Sequence, residues 1–346
     1  MAALAAVNGK PLKHNRPDGH PSKFVLLSTA GAIGALTAAA AVVARSTRET
    51  ERAHPPTGRF LEIRGVKLYY TERGAGPPVL LLHGNGVTAQ DWEISGVLDG
   101  LAADHRVIAI DRPGFGYSER PRRSAWTPKQ QAELIHAALA ELNVERPVVV
   151  GHSWGTLVAL ALALDYPADV ERLVLLSGYY FPSPRVDAML QIAPATPLLG
   201  DVLRHTVSPI IGRLMAPMVI RQLFAPAPVP ERFAEFPFSM SLRPSQLRAS
   251  AEEAALMVPS AALLQERYGE LRLPVAIIAG SGDRIVDPSA QSNRLSRQIA
   301  GKDAQIISGA GHMVHYFAPE RVVAAAAGKT NERARGGAQE SASTNR

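Results

Sequence analysis

Apolar residues in this chain cluster in short unbroken runs, Val79–Leu82, Val107–Ile110, Val148–Val150, Leu173–Leu176 and Val275–Ile278. Each is bounded by glycine, proline or charge. Runs of three or four apolar residues without alternation read as strands buried on both faces. Between them lie stretches of helical spacing. "TPKQQAELIHAALAELNV" opens on a Thr cap with Pro at the first helical position, and "PERVVAAAAG" closes the series. Ahead of the first run, "RFLEIRGVKLYYTERG" reads as two antiparallel strands joined at Gly65. Strands at this spacing with helices between them predict an α/β fold with a mainly parallel sheet covered on both faces.

The rhythm breaks near Phe181 and resumes near Arg272. Residues 181–267 are rich in Pro, Met and Leu and lack strand alternation, which predicts a helical cap over the carboxyl edge of the sheet. The core is then split into 58–180 and 268–328. Residues 329–346 are polar with Gly and Ser, the composition of a disordered tail.

A second interruption stands at the start. Phe24–Ala44 carries no charge, and 21 residues is about what a bilayer-spanning helix needs. Lys10, Lys13, Arg16 and Lys23 precede it, so residues 1–23 read as a basic cytoplasmic leader and the remainder as extracytoplasmic. The 23-residue leader favours an uncleaved signal anchor over a cleaved signal peptide with export. An Ala-rich helix packed on the domain is the third reading. Arg45–Thr57, charged and ending in prolines, reads as a linker.

Composition adds little. A net charge of +6 is scattered rather than patterned, with no aromatic-basic stripe, so nucleic acid is not an expected partner. The chain has no cysteine, which excludes disulfides and thiolate metal sites.

The candidate chemistry lies in "VVVGHSWGTLVALAL", where Ser153 stands between Gly151 and Gly155 at a strand-to-helix change. Gly-x-Ser-x-Gly in that context makes a sharp turn that lifts the hydroxyl above the sheet, at the positive end of the next helix. A serine there needs a base, a carboxylate to orient it, and donors for an oxyanion.

On these motifs, over about Arg59–Ala327, the chain resembles the α/β-hydrolase fold family. The resemblance implies an eight-stranded, mainly parallel sheet with a cap and the order nucleophile, acid, base. The matching positions are Ser153, Asp283 in "AGSGDRIVDP" and His312 in "GAGHMVHY". Asp287 and His315 are the nearby alternatives, while His152 reads as a packing or hydrogen-bonding neighbour. The family's oxyanion hole falls on the backbone N–H of Trp154 and of Asn85 in "HGNG", with Gly86 as the alternative; His83 and Gly84 complete that loop. In "DRPGFGYSER", Asp111 and Arg112 read as structural, and Phe115 as either packing or pocket lining.

The motifs are similar to those of epoxide hydrolases and haloalkane dehalogenases, but those use aspartate as nucleophile. A serine forms an acyl-enzyme and gives no readily hydrolysed alkyl-enzyme. Met189, Leu190, Leu198, Leu199, Met215, Met218 and Phe224 in the cap suit an apolar acyl chain. The expected function is a serine hydrolase, carboxylesterase or lipase-like, cleaving an apolar ester with no cofactor or metal. A carbon–carbon bond hydrolase, a cofactor-free perhydrolase and a small amidase share the same machinery. A non-catalytic binding module is the reading from another class.

Overall fold

The computed structural model describes residues 23–184 and 192–329. The leader up to residue 22, the cap residues Met189 and Leu190, and the tail from residue 330 lie outside the described residues.

Eight strands form one sheet: β1 (Arg59–Ile63), β2 (Val66–Arg73), β3 (Pro78–Leu82), β4 (Arg106–Ile110), β5 (Val148–His152), β6 (Arg172–Leu176), β7 (Val275–Gly280) and β8 (Gln305–Ile307). The spatial order is β1-β2-β4-β3-β5-β6-β7-β8. β1 and β2 form an antiparallel hairpin around Gly65, β2 is antiparallel to β4, and every later pairing is parallel. The centre is the most apolar part: Leu80 sits beside Ile108 on one side and Val149 on the other, all fully buried. Burying a side chain of that size stabilises by about 1.5–3 kcal/mol. That is why unbroken apolar runs, rather than alternating ones, mark these strands.

Helices cover both faces. The ones used below are α1 (Lys23–Ala53), α2 (Gln90–Ile94), α3 (Val97–Ala102), α4 (Pro128–Glu141), α5 (Trp154–Asp165), α6 (Leu199–His205), α7 (Ser208–Phe224), α8 (Phe238–Ser241), α9 (Pro244–Gln265), α10 (Arg294–Ala300) and α11 (Pro319–Ala326). α5 is buried from Trp154 to Leu164. It packs between the sheet and α4, so its apolar residues wrap the whole helix. The helices between β6 and β7 run from Leu199 to Gln265, inside the span expected for the cap.

The stretch read as a linker differs. α1 continues without a break through Arg45 to Ala53. Arg45, Glu49 and Ala53 are good helix formers, and Arg45 Nε donates to Glu49 Oε1 at 2.7 Å one turn on. Val43 and Thr50 are buried against the cap, and Glu51 pairs with Arg243 of the cap at 2.9 Å. The charges that looked like a solvated tether lie on the outer side of a docked helix, and the chain leaves the helix only just before Pro55 and Pro56.

Candidate active site

The carboxyl ends of β3, β4, β5, β7 and β8 open on one edge of the sheet, and the candidate residues follow them directly. β5 ends at His152, and Ser153 makes the turn into α5 with φ 50° and ψ −119°. A non-glycine residue held there stores about 1–3 kcal/mol of strain, which the surrounding contacts must impose. Gly151 and Gly155 make those contacts possible. A Cβ on Gly151 would lie 2.7 Å from the Gly155 carbonyl oxygen, and one on Gly155 would collide with the Leu82 carbonyl. The strand and helix therefore cross at backbone contact, and only glycine fits at either position.

The structure brings Ser153, Asp283 and His312 together. His312 Nε2 lies 3.0 Å from Ser153 Oγ, and its Nδ1 lies 2.8 Å from Asp283 Oδ2. Asp283 Oδ1 accepts from the amides of Ile285 and Val286 at 2.8 and 2.9 Å, so the carboxylate is held on its far side by its own turn. Both partners are buried, whereas Ser153 is half-buried. Asp287 is not the partner: its Oδ1 accepts from the amides of Ser289 and Ala290 and caps the following turn.

Trp154 provides the first amide of α5, among those a helix leaves without an internal acceptor. Opposite it runs the loop after β3. A Cβ on Gly84 would stand 2.9 Å from His152 Nδ1 and 3.2 Å from Ser153 Cβ, so this loop lies directly against the Ser153 turn. The Asn85 side chain donates to the Ser250 carbonyl of α9 at 3.0 Å, and Gly86 offers its carbonyl to the Ser241 hydroxyl at 2.6 Å. Both residues thereby tie the loop to the cap, Asn85 through its side chain and Gly86 through its backbone carbonyl.

Beneath this loop Arg112 is fully buried. It donates to the carbonyls of His83 (2.7 Å) and Gly84 (3.0 Å), and pairs with the buried Glu253 of α9. Gln131 of α4 bonds both Arg112 and Glu253. Burial, with the adjacent guanidinium, pushes the His83 imidazole well below its ordinary range, so it is neutral. Its Nε2 accepts from the Arg112 amide and its Nδ1–H donates to the Gly84 carbonyl. Asp111 accepts the amides of Ala89 and Tyr117 at 2.8 and 2.9 Å, and burial pushes its carboxyl up to about 6. Asp111 and Arg112 are thus structural, and Phe115 is fully buried edge-on to His83 rather than lining a pocket.

Sequence reasoning passed over a second buried cluster. His315 Nε2 lies 2.8 Å from Asp91 Oδ2, and the Tyr316 hydroxyl donates to Asp91 Oδ1 at 2.7 Å. His152 packs on His315 and donates from Nε2 to the His312 carbonyl at 3.1 Å. Burial first, then the two neighbouring imidazoles, push His152 well below its ordinary range and keep it neutral. Among the described residues, Asp91, His152 and His315 form the group whose ligand atoms come close enough for a metal, within 4.8 Å of one another. Both Asp91 oxygens already answer protein donors, so the carboxylate reads as hydrogen-bonded structure.

The apolar cap residues also differ from expectation. Phe224 is buried against Phe233, Tyr316 and Phe317, whereas Leu198, Leu199, Met215 and Met218 are exposed on the outer surface.

With sheet, turn and relay in place, the comparisons define the class. The family model described as alpha/beta hydrolase fold matches residues 77–319, and the chain belongs to that family. An uncharacterized protein of Mycobacterium tuberculosis is 29% identical over 296 residues, covering 81% of this chain and 82% of that one. A 2-hydroxymuconate semialdehyde hydrolase of Pseudomonas putida is 30% identical over 280 residues, covering 77% and 92%. Among solved structures, a meta-cleavage product hydrolase of Pseudomonas fluorescens IP01 superposes with a TM-score of 0.60 at 24% identity, covering 80% of this chain and 98% of that chain. The family makes the protein a hydrolase of the α/β fold.

Proposed function

We propose that the protein is a serine hydrolase that cleaves an ester of an apolar acyl substrate, held at a membrane by α1. The observation that carries this reading is the Ser153–His312–Asp283 relay, at 3.0 and 2.8 Å, behind a strained and half-exposed serine.

The chemistry follows from the geometry. His312 Nε2 takes the Ser153 proton as Oγ attacks the ester carbonyl, and Asp283 stabilises the imidazolium through Nδ1–H. The oxyanion is met by the amide N–H of Trp154 and of Asn85 or Gly86; each such donor is worth about 3 kcal/mol in the transition state. His312 then protonates the leaving alkoxide, and a water activated by the same nitrogen releases the acid. The anchor reading rests on the uncharged part of α1 before Arg45, which belongs to the described helix, Ala30–Ala53, that by length and composition could cross a bilayer.

A carbon–carbon bond hydrolase is the second reading, favoured by the similarity to the Pseudomonas putida enzyme. A muconate-type substrate carries a carboxylate. The guanidinium nearest the oxyanion loop, Arg112, is paired with Glu253, which favours a neutral ester.

The test is turnover of nitrophenyl esters of rising acyl length by the full chain in detergent, with Ser153→Ala as control and a fluorophosphonate probe for Ser153. Serine-dependent turnover with a chain-length optimum is the expected outcome. Labelling without ester turnover, but with cleavage of a dienoate diketone, supports the second reading. Neither labelling nor turnover leaves a binding module.

A further inference from the structure

α7 is apolar almost all round, a pattern that ordinarily marks a helix buried on every side. Here only one side is covered: Ala216 and Phe224 are buried toward the domain. Ile210, Ile211, Leu214, Met215 and Met218 recur at helical spacing of three and four along the opposite side, continuing Val207 at the N-cap just before the helix, and each is exposed. Leu214 is 76% exposed, and Leu198 at the start of α6 reaches 82%. Soluble domains do not leave a stripe of this length in water without a partner.

What covers it follows from α1. A groove of ~320 Å3 separates the two helices, with Val42, Val43 and Ser46 on one wall and Ile210, Arg213 and Leu214 on the other. Its level on α1 is where the uncharged stretch ends at Arg45. If α1 enters the bilayer there, the α7 stripe stands at the bilayer surface. Charge agrees: Val202–Pro230 contains no Asp or Glu, while Arg213 and Arg221 are exposed. Cations beside an apolar helix face suit an anionic lipid surface.

We propose that the exposed face of α7 docks on the lipid bilayer, its apolar side chains reaching about 5–10 Å into the boundary between headgroups and acyl chains. Continuity with α1 makes the proposal rest in part on the anchor reading. The other end of α7 touches the candidate site. The Leu223 carbonyl accepts the His312 amide at 2.9 Å, and the carbonyls of Phe224 and Ala225 lie where a Cβ on Gly311 would fall. A bilayer under α7 therefore lies one helix away from the His312 loop, and an apolar ester dissolved in lipid has a short path to Ser153.

The chain has no cysteine, so single introduced cysteines can each carry an environment-sensitive fluorophore. Met218→Cys reports on α7, Ile33→Cys on α1, and Glu141→Cys, exposed at the end of α4, gives the aqueous baseline. Full-length protein is reconstituted into phosphatidylcholine–phosphatidylglycerol vesicles with or without brominated acyl chains. The expected result is blue-shifted emission from Met218→Cys that brominated lipid quenches, with none at Glu141→Cys. Quenching at Ile33→Cys alone overturns the docking and leaves the anchor standing. Quenching at Met218→Cys alone keeps the docking and removes the anchor. Absence of both overturns both. Cross-linking between Met218→Cys chains without quenching overturns the proposal in favour of a second copy on this face.

Discussion

Two aspartate–histidine pairs lie at the same end of the sheet, their histidines three residues apart, and both span 2.8 Å. They differ in what the outer nitrogen of the imidazole meets. His312 turns Nε2 to the hydroxyl of a half-exposed serine. His315 turns Nδ1 into a fully buried space between Trp92 and His152, with no hydrogen-bond partner among the described residues. The carboxylates differ as well. Asp283 is held by two amides of its own turn, whereas Asp91 shares its charge with the Tyr316 hydroxyl. Burial and the Asp91 charge push that phenol up, so it remains a donor. His312 through Nδ1 and His315 through Nε2 reach their carboxylates at the same distance, so access at the far nitrogen is what lets only one of the two pairs meet a hydroxyl.

The sharpest way to break this contrast is to remove each histidine in turn. His312→Ala should lower kcat by about 10^6-fold, the loss seen when the base of a comparable relay is deleted. Asp283→Asn should lower it by about 10^4-fold, because the amide no longer fixes the ring in the tautomer that presents a lone pair to Ser153. Steady-state kinetics alongside thermal melts check both: unchanged melting with near-normal turnover would remove the assigned roles.

A third carboxylate sharpens the comparison through pH. Asp111 has backbone amides as its partners and burial raises it from 3.8 to about 6. Between those values the unfolded chain has released the proton that the folded chain keeps. Stability contributed by this group therefore falls as pH rises from about 4 to 6, by about 3 kcal/mol, and is level above. Urea unfolding at stepped pH should show that slope in the native chain and lose it in Asp111→Asn. A difference between the two that does not vary with pH would refute the assignment.

The readable part of the molecule follows from the same physics. Strands buried on both faces write themselves as unbroken apolar runs, and Ser153 and Asp283 each follow such a run, whereas His312 follows the short, partly exposed edge strand β8 and is marked by the Gly-Ala-Gly turn before it. Glu253 and Asp91 carry no such mark. Each is an acid in a helical stretch with a second acid close by, Glu252 or Glu93, and its partner, Arg112 or His315, comes from 141 or 224 residues away. The helical course of Arg45–Ala53 was hidden for another reason, since a charged outer face resembles a tether until Val43 and Thr50 are seen packed beneath it. In the cap, composition told that Leu198, Met215 and Met218 are apolar but not which way they face.

His315→Gln carries the smallest effect and tests the contrast from its other side. Glutamine can still donate one N–H toward Asp91, but the ring packed between Trp92 and His152 is gone. The cost in stability should be about 1–3 kcal/mol, the range for a disturbed buried hydrogen bond. Turnover by the folded fraction should stay within about tenfold of the native value, because the contact that reaches the relay is the bond from His152 Nε2 to the His312 carbonyl, and it is made by another residue. Denaturant unfolding and kcat measured on the same preparation separate the two effects. A loss of kcat as deep as that of Asp283→Asn with stability intact would mean that the buried pair acts through His152 on the base, and that access alone does not set which aspartate–histidine pair reacts.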